Sequence, residues 1–562
     1  MEIMNGGKAL MKALEKEGVK QVFGLPGGAN LPMYDELYKS NIRHILVRHE
    51  QSAAHMADGF GRVSRKPGVC FATSGPGATN ILTGLATAQA DSAPMVAVTG
   101  QVPVAMIGRD AFQESDIIGM SNPVVKYAFQ PRTAGEVPGA VRKGFYIART
   151  GRPGPVLIDI PKDVQQNEAE MEFPDEFKIQ GYHPWADPDI VACERAIDML
   201  LNSEKPIILS GGGTIISSAF AELQSIAETL MLPVVTTFKG KGSFPENHPL
   251  SLGPIGMHGH AEANKMMTEA DCVLAIGTRF SDRSVGTFEA FEKRLKIIHL
   301  DVDPAEIGKN QTAQVAVVGD VKASLRIMIK LLLQRAIKKT EESTWIKHVK
   351  ETKAYWKENL KIHPGEMGAA KILRKLRELL PPESIITTEV GQHQMWASLF
   401  YDVIQPGTFF SSTGLGTMGW GFPASIGAKV ARPDVPVVDI AGDGSFAMTE
   451  NSLATAVLED IPVIVFILNN YSLGMVAQWQ RTFYDRRMIG VDQQNCPDYV
   501  KLAESYGAQG IRAQSMDELH KAIKTALSSD VATVIDIPID PVEDVLPFVA
   551  PGTSLADMVL PS

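Results

Sequence analysis

Short apolar runs bounded by glycine, proline and polar residues alternate with segments of helical periodicity along most of the chain. Ile42–Val47, Met95–Val98, Pro206–Ser210, Cys272–Ile276, Lys296–Asp301, Gln314–Val318, Val437–Ala441 and Val463–Leu468 read as strands. Gln51–Arg62 and Thr449–Leu458 read as helices, and a helical pattern begins at once at the N-terminus. Strands alternating with helices predict parallel sheets with crossover helices, an α/β fold. Three blocks separate: residues 1–170, 190–335 and 365–545, followed by a tail, 546–562, rich in Pro, Ala and Leu. A polar, Pro-containing stretch, Gln165–Asp189, divides the first two blocks. The charged stretch Lys338–Lys361 precedes the third and predicts a solvated linker helix.

The first and third blocks echo each other. Gly75-Pro-Gly77 is followed by Leu85-Ala-Thr-Ala88, Asp91-Ser-Ala-Pro94 and an apolar run. Gly442-Asp-Gly444 is followed at nearly the same offsets by Leu453-Ala-Thr-Ala456, Asp460-Ile-Pro462 and an apolar run. Either two strand–helix–strand units are alike by chance, or two related domains carry different chemistry on one scaffold.

The 562 residues suffice for about three or four domains. Net charge is −10, with Lys and Arg scattered, which argues against nucleic acid or an anionic membrane as partner. The four cysteines lie far apart without CxxC spacing and read as reduced thiols. No apolar run is long enough to span a membrane and no leader pattern opens the chain, so a cytoplasmic location is expected.

Candidate chemistry starts where Val437–Ala441 ends in Gly442-Asp443-Gly444-Ser445, and Val463–Leu468 ends in Asn469-Asn470. Ligands of open α/β sheets bind at the carboxyl ends of strands. A carboxylate and an amide oxygen suit Mg²⁺, which completes its shell with phosphate oxygens and water. The amides of Gly444 and Ser445 open a helix, which favours a diphosphate, and glycine at 444 admits the anion closely. Gly-Asp-Gly-Ser with an Asn-Asn about 27 residues on resembles the motif of thiamine-diphosphate enzymes. That resemblance implies Mg²⁺ on Asp443 and Asn470, with the carbonyl of Ser472 as a third ligand.

Thiamine chemistry also needs a carboxyl group against the cofactor's aminopyrimidine nitrogen; the cofactor carries the reaction and the protein orients it. His49-Glu50 stands between a strand and a helix, with His55, Met56 and Phe60 nearby. Arg48-His49-Glu50, an Ala-rich helix and Gly59-Phe-Gly61 resemble the superfamily's glutamate motif. In that superfamily the cofactor spans two subunits, so Glu50 is expected to serve the metal site of a partner chain in a homodimer or homotetramer.

Further segments resemble the catalytic subunit of acetolactate (acetohydroxyacid) synthases over nearly the whole chain. They are Thr73–Asn80, Gly100–Pro103, Asp110–Glu114, Gly151–Pro155, Pro161–Asp163, Glu389–His393, Gly414–Gly419 and Leu473–Gln480. The resemblance implies three doubly wound domains, two thiamine-binding folds flanking a Rossmann-like flavin domain. It places thiamine diphosphate against Pro76, Asn80, Val390, Gly391, Gln392, His393, Gly416 and Met475, with Met418 as the wedge that bends the cofactor. Gln113 is assigned to the reaction centre, Lys162 to the channel mouth, and Gly28, Phe112 and Arg283 to the substrates. Trp479 is the family's residue for preferring 2-ketobutyrate over pyruvate as second substrate.

Gly211-Gly-Gly213 after a strand is by itself a weak dinucleotide signal. Set among Thr237-Phe238, Met257-His258, Gly277, Arg279, Asp282, Arg283, Asp301, Glu306-Ile307 and Asp320-Val321, it resembles the family's FAD site, with Arg152 reaching the flavin. The flavin does no net redox work there. Arg109, Ala105, Ser281 and Phe238 depart from residues frequent in the family. The expected activity is formation of 2-acetolactate or 2-aceto-2-hydroxybutyrate, a transferase step of valine and isoleucine biosynthesis, with a small regulatory subunit as a possible partner. The alternatives are a flavin-free catabolic acetolactate synthase and an FAD-dependent pyruvate oxidase.

Overall fold

The computed structural model describes residues 2–175, 179–184, 187–287, 295–360 and 365–561. Three six-stranded sheets, every pairing within them parallel, organise the chain. The first holds β2 (Gln21–Gly24), β3 (Arg43–Leu46), β4 (Gly68–Ala72), β5 (Met95–Gln101), β6 (Tyr127–Phe129) and β7 (Pro155–Pro161). The second holds β9 (Pro206–Ser210), β10 (Val234–Thr236), β11 (Ser251–Pro254), β12 (Cys272–Ile276), β13 (Lys296–Asp301) and β14 (Val315–Val318). The third holds β15 (Ile385–Thr388), β16 (Phe409–Ser411), β17 (Val437–Gly442), β18 (Ile464–Asn469), β19 (Gln509–Arg512) and β20 (Thr533–Pro538). The central strands are buried on both faces, which is why they read as continuous apolar runs.

Strand order explains the internal echo. The first sheet runs β3-β2-β4-β5-β7-β6 and the third β16-β15-β17-β18-β20-β19, one order repeated position for position. The echoed segments join β4 to β5 and β17 to β18, equivalent neighbours in the two sheets. The middle sheet runs β11-β10-β9-β12-β13-β14, the doubly wound Rossmann order, with its switch point between β9 and β12.

The first and third sheets meet through helices Glu50–Ser64 and Gly421–Ala431. Gly59 of the first lies against the backbone of Ala424, and Gly427 of the second against the backbone of Met56. Polar contacts flank the crossing, among them Trp420 Nε1 to Asp58 at 2.8 Å and Ser452 to Ser52 at 3.0 Å.

Three expectations change. The chain starts in a strand, β1 (Glu2–Asn5), paired antiparallel with β8 (Glu168–Met171), before the helix Gly6–Lys16; only Met4 of the strand is buried, and the pairing with β8 holds the segment extended. The helix expected over Thr449–Leu458 is shortened to Leu453–Leu458 after the 3-10 turn Glu450–Ser452, and a separate short helix, Asp443–Phe446, follows β17 directly. The charged stretch forms the helix Thr344–Asn359, but it is docked rather than solvated. Trp345, Ile346 and Val349 are buried, and Trp345 Nε1 donates to the Pro206 carbonyl at 3.0 Å. The tail folds back as an antiparallel pair, β21 (Phe548–Val549) and β22 (Met558–Val559), against the middle sheet's helices, where Val549 N donates to the Met257 carbonyl. All four cysteines are free thiols. No helix among the described residues is long and apolar enough to cross a membrane.

Candidate active site

Residues singled out in the sequence gather into three places. At the carboxyl edge of the first sheet, Glu50 opens its helix and is 7% exposed. Asn80 Nδ2 donates to Glu50 Oε2 at 2.9 Å. Pro76 and Asn80 belong to one short helix, and Gly75 before it has φ 57°. A Cβ at Gly75 would lie 2.9 Å from the Gln113 carbonyl, so glycine lets the Asp110–Glu114 loop close over this helix. Gln113 itself has φ 60°, a conformation that costs a non-glycine residue energy and collects at functional sites. Phe112 beside it is 88% exposed, so in the single chain it lines no pocket. Lys162 follows β7 directly, and Gly28 sits exposed in the loop after β2.

At the carboxyl edge of the third sheet, Asp443 and Asn470 follow neighbouring strands and are buried. Ser472 N donates to Asp443 Oδ2 at 3.0 Å, and the Tyr499 hydroxyl donates to the Asp443 carbonyl at 3.0 Å. Asn470 Nδ2 donates to Gln392 Oε1 at 2.8 Å, and Gln392 Nε2 reaches Gln478 at 3.0 Å. These bonds turn the Asn470 amide so that its oxygen faces away from Gln392. The turn between them is tightly determined: Tyr471 has φ 53°, and its N–H donates to Asn469 Oδ1 at 3.1 Å. A Cβ at Gly474 would lie 2.0 Å from Gln392 Oε1, so a larger residue there would displace the Gln392 amide that orients Asn470.

Burial pushes the Asp443 carboxyl up to about 7, against hydrogen bonds from the Gly444 and Ser472 amides. A carboxylate so placed is stabilised by a cation. His393 opens the helix Gln392–Phe400 next to Ser445, Nε2 to Oγ 3.5 Å, and burial drives its pKa down to about 3, so the imidazole is neutral. A Cβ at Gly442 would lie 2.7 Å from His393 Nδ1, so this corner is open only because the residue is glycine. The residues present fit a magnesium-bound diphosphate: one carboxylate, one amide oxygen and several backbone N–H groups around a glycine-lined corner.

The third place is a cavity of about 710 Å³ between the domains. It lies at the switch point of the middle sheet, where Gly211 and Gly277 follow β9 and β12. A Cβ at Gly211 would meet the Gly277 carbonyl at 2.2 Å. Arg152, Gly212, Gly213, Thr237, Phe238, Met257, His258, Gly277 and Arg279 line it, with Asp282, Arg283, Asp301, Glu306, Asp320 and Val321. Gly211 and Ile307 do not. Arg152 Nη1 is held by Glu306 at 2.7 Å and Asp303 at 3.2 Å. Burial raises the Asp301 carboxyl to about 6. Val390, Gly416, Met475 and Trp479 line the far end, so this cavity reaches the second place. There Arg283 stands 5.9 Å from the Trp479 ring and contacts Met257. Met418 is half-buried on the loop beyond Gly416. Among the described residues no hydrogen bond or ion pair joins the Glu50–Asn80–Gln113 group to Asp443 or Asn470 of the same chain.

Three family models match: the N-terminal TPP-binding domain of thiamine pyrophosphate enzymes over residues 4–120, their central domain over 193–328, and their C-terminal TPP-binding domain over 389–537. A probable acetolactate synthase large subunit of Methanocaldococcus jannaschii is 48% identical, covering 99% of this chain and 95% of that protein. The acetolactate synthase large subunit of Corynebacterium glutamicum is 42% identical, covering 99% and 90%. The chain belongs to the acetolactate synthase large-subunit family of thiamine pyrophosphate enzymes.

For an acetolactate synthase homologue, several supporting residues carried no sequence signal of their own. Tyr499, which holds the Asp443 carbonyl, lies far along the chain in an unremarked helix. Asp58, Arg62 and Lys239 form buried ionic contacts around the cavity without any motif. Asp91 had one: it opens the echoed Asp91-Ser-Ala-Pro94 segment.

Proposed function

We propose that this acetolactate synthase homologue decarboxylates pyruvate and joins the two-carbon fragment to a second pyruvate or to 2-ketobutyrate. The observation that carries this reading is the turn presenting Asp443, the Asn470 amide oxygen and the Ser472 carbonyl beside Gly442–Ser445. In it Asp443, Asn470 and Ser472 hold Mg²⁺, while Gly444, Ser445, Gln392 and His393 hold the diphosphate. Thiamine diphosphate, when bound, would supply the electron sink that lets a 2-ketoacid lose CO₂ and pass its remaining two-carbon unit to the carbonyl carbon of a second ketoacid. Glu50 keeps a carboxyl against the aminopyrimidine nitrogen, with Asn80 Nδ2 fixing its other oxygen. Met418, half-buried on the loop beyond Gly416, would bear on the cofactor and orient it, and positioning of this kind would stand in for an external base.

Glu50 and Asp443 serve one cofactor from two subunits, which makes a homodimer the minimal catalytic unit. In that assembly the exposed Phe112 and the strained Gln113 face the reacting centre of the partner chain. Lys162 stands at the channel mouth. Arg283 binds the second substrate's carboxylate, and Trp479 packs on its alkyl end. The interdomain cavity, walled by Arg152, Arg279 and the glycines of the switch point, suits FAD as a structural cofactor. The relatives from Methanocaldococcus jannaschii and Corynebacterium glutamicum are large subunits, which supports a smaller partner subunit.

Purified protein given pyruvate, thiamine diphosphate, Mg²⁺ and FAD tests the reading. Acetolactate is expected, with acetohydroxybutyrate when 2-ketobutyrate is added. Acetate or acetyl phosphate with bleaching of the flavin would instead identify an oxidase.

A further inference from the structure

Asp91 is the last residue of the helix Leu82–Asp91 and is 2% exposed, yet its carboxylate touches three domains. From the third domain it accepts hydrogen bonds from Thr413 N at 3.0 Å, Thr413 Oγ1 at 2.7 Å and Gly414 N at 2.9 Å. From its own domain Arg62 Nη2 approaches at 3.2 Å, itself chelated by Asp58 and donating to the Ser411 carbonyl. From the middle domain Lys239 Nζ stands 3.4 Å from Asp91 Oδ1 and also donates to the Asp91 carbonyl. Burial would raise the Asp91 carboxyl, but Lys239 and Arg62 overcome it and hold it well below the usual range.

Each side of this carboxylate leads to a cofactor region. Thr413 and Gly414 begin the loop that continues to Gly416 and Met418. Gly414 is pressed so closely on the helix end that a Cβ would lie 2.7 Å from the Ala90 carbonyl. Thr417 Oγ1 meets Thr87 Oγ1 of the same helix at 2.7 Å, a second tie between helix and loop. On the other side the Lys239 stem covers the glycine turn after β9, with its Cδ 2.7 Å from where a Gly212 Cβ would stand. Lys239 lines the cavity together with Arg62, Arg152 and Arg279, a wall that draws anionic groups.

We propose that Asp91 is a positioning residue that couples filling of the interdomain cavity to the shape of the thiamine-facing loop 412–418. This rests on the reading of that cavity as an FAD site. An anion beside Lys239 relieves the repulsion among the cations and fixes Lys239 against Asp91, which in turn holds Thr413 and Gly414. The loop is then set for thiamine diphosphate before it binds. A flavin with no redox task would act through this contact.

The test is the affinity for thiamine diphosphate with Mg²⁺, measured by calorimetry without and with FAD, and for FAD, measured by flavin fluorescence, without and with thiamine diphosphate. The two factors must be equal, because coupling between sites is reciprocal. The wild-type protein is expected to show a factor of about ten or more. Asp91→Asn is expected to bring it close to one while both ligands still bind. Thr413→Val, which keeps the backbone donors and removes only the Oγ1 bond, is expected to lower the factor without weakening FAD binding, and stands in if Asp91→Asn does not fold. Wild-type protein that binds FAD but shows no coupling overturns the proposal, as does full coupling in the variants. A folded wild type that binds no FAD overturns the cavity reading, and the proposal falls with it.

Discussion

Gly59 and Gly427 face each other across one helix crossing, each with the backbone of the opposite helix where its own side chain would be. A Cβ at Gly427 would stand 1.9 Å from the Met56 carbonyl oxygen, and one at Gly59 would stand 2.2 Å from that of Ala424. Neither neighbour is a flexible side chain, so neither can yield. The crossing joins the first and third sheets and thereby fixes Glu50, at the start of one helix, relative to the loop that precedes the other. Gly427→Ala is expected to destabilise the protein by on the order of 1–3 kcal/mol, the overpacking cost exceeding the gain in helix propensity. Urea unfolding followed by circular dichroism measures it; an unchanged midpoint would show that the helices are free to separate.

Removing the metal ligand should act on cofactor retention rather than on the fold. Asp443 is buried and hydrogen-bonded by the Ser472 amide, so Asp443→Ala removes the charge proposed to hold Mg²⁺ and leaves β17 paired on both sides. Thiamine diphosphate is expected to wash out of the variant on gel filtration in Mg²⁺ buffer, as it should from the wild type treated with a chelator. Tight retention by the variant would count against this metal site.

The fold was legible because parallel strands are buried on both faces and announce themselves as apolar runs between glycine turns. Even the repeat of the first domain in the third could be read from Leu85-Ala-Thr-Ala88 and Leu453-Ala-Thr-Ala456, which occupy matching crossovers. Asp443 and Asn470 were legible because a strand end fixes where a side chain stands. What stayed hidden depends on the meeting of distant segments. Trp345 looked solvated in a run of charges because only its contact with Pro206 shows the docked face. Asp91 read only as part of the echoed Asp91-Ser-Ala-Pro94 segment, because Lys239 and Thr413 approach it from the other two domains. Phe112 shows the opposite limit: family resemblance assigned it to the substrates, and the single chain leaves it bare.

Trp479 lies on the helix Gly474–Phe483, half-buried, with the Arg283 guanidinium over its ring. A cation held there can take a carboxylate while the indole face takes the alkyl end of the same acid. One additional methyl in such a pocket is worth about 1–3 kcal/mol, a preference of roughly 10-fold to 200-fold. Trp479→Leu is expected to lose most of the preference for 2-ketobutyrate when both acids compete, while acetolactate formation from pyruvate alone continues. The ratio of the two products checks this, and an unchanged ratio would remove Trp479 from the specificity pocket.

Glu389 and Asp439 form a buried pair of carboxyl groups beneath the diphosphate corner, and Thr387 Oγ1 donates to Asp439 at 3.0 Å. Both would lie within 2.3 Å of a Cβ at Gly421, so glycine is what leaves room for them. Burial raises Glu389 to about 7, and burial together with Glu389 holds Asp439 well above its ordinary range. The folded protein therefore keeps protons that the unfolded chain, whose carboxyls titrate near 4, has already released. Stability from this pair is complete below that value and is lost as pH rises through about 7. The urea midpoint of the cofactor-free protein is expected to fall between pH 5 and 8, by on the order of 2 kcal/mol in unfolding free energy. Asp439→Asn, which leaves one carboxyl with an uncharged neighbour, should flatten that fall; a wild-type midpoint that rises with pH would show that the pair is ionised in the native state.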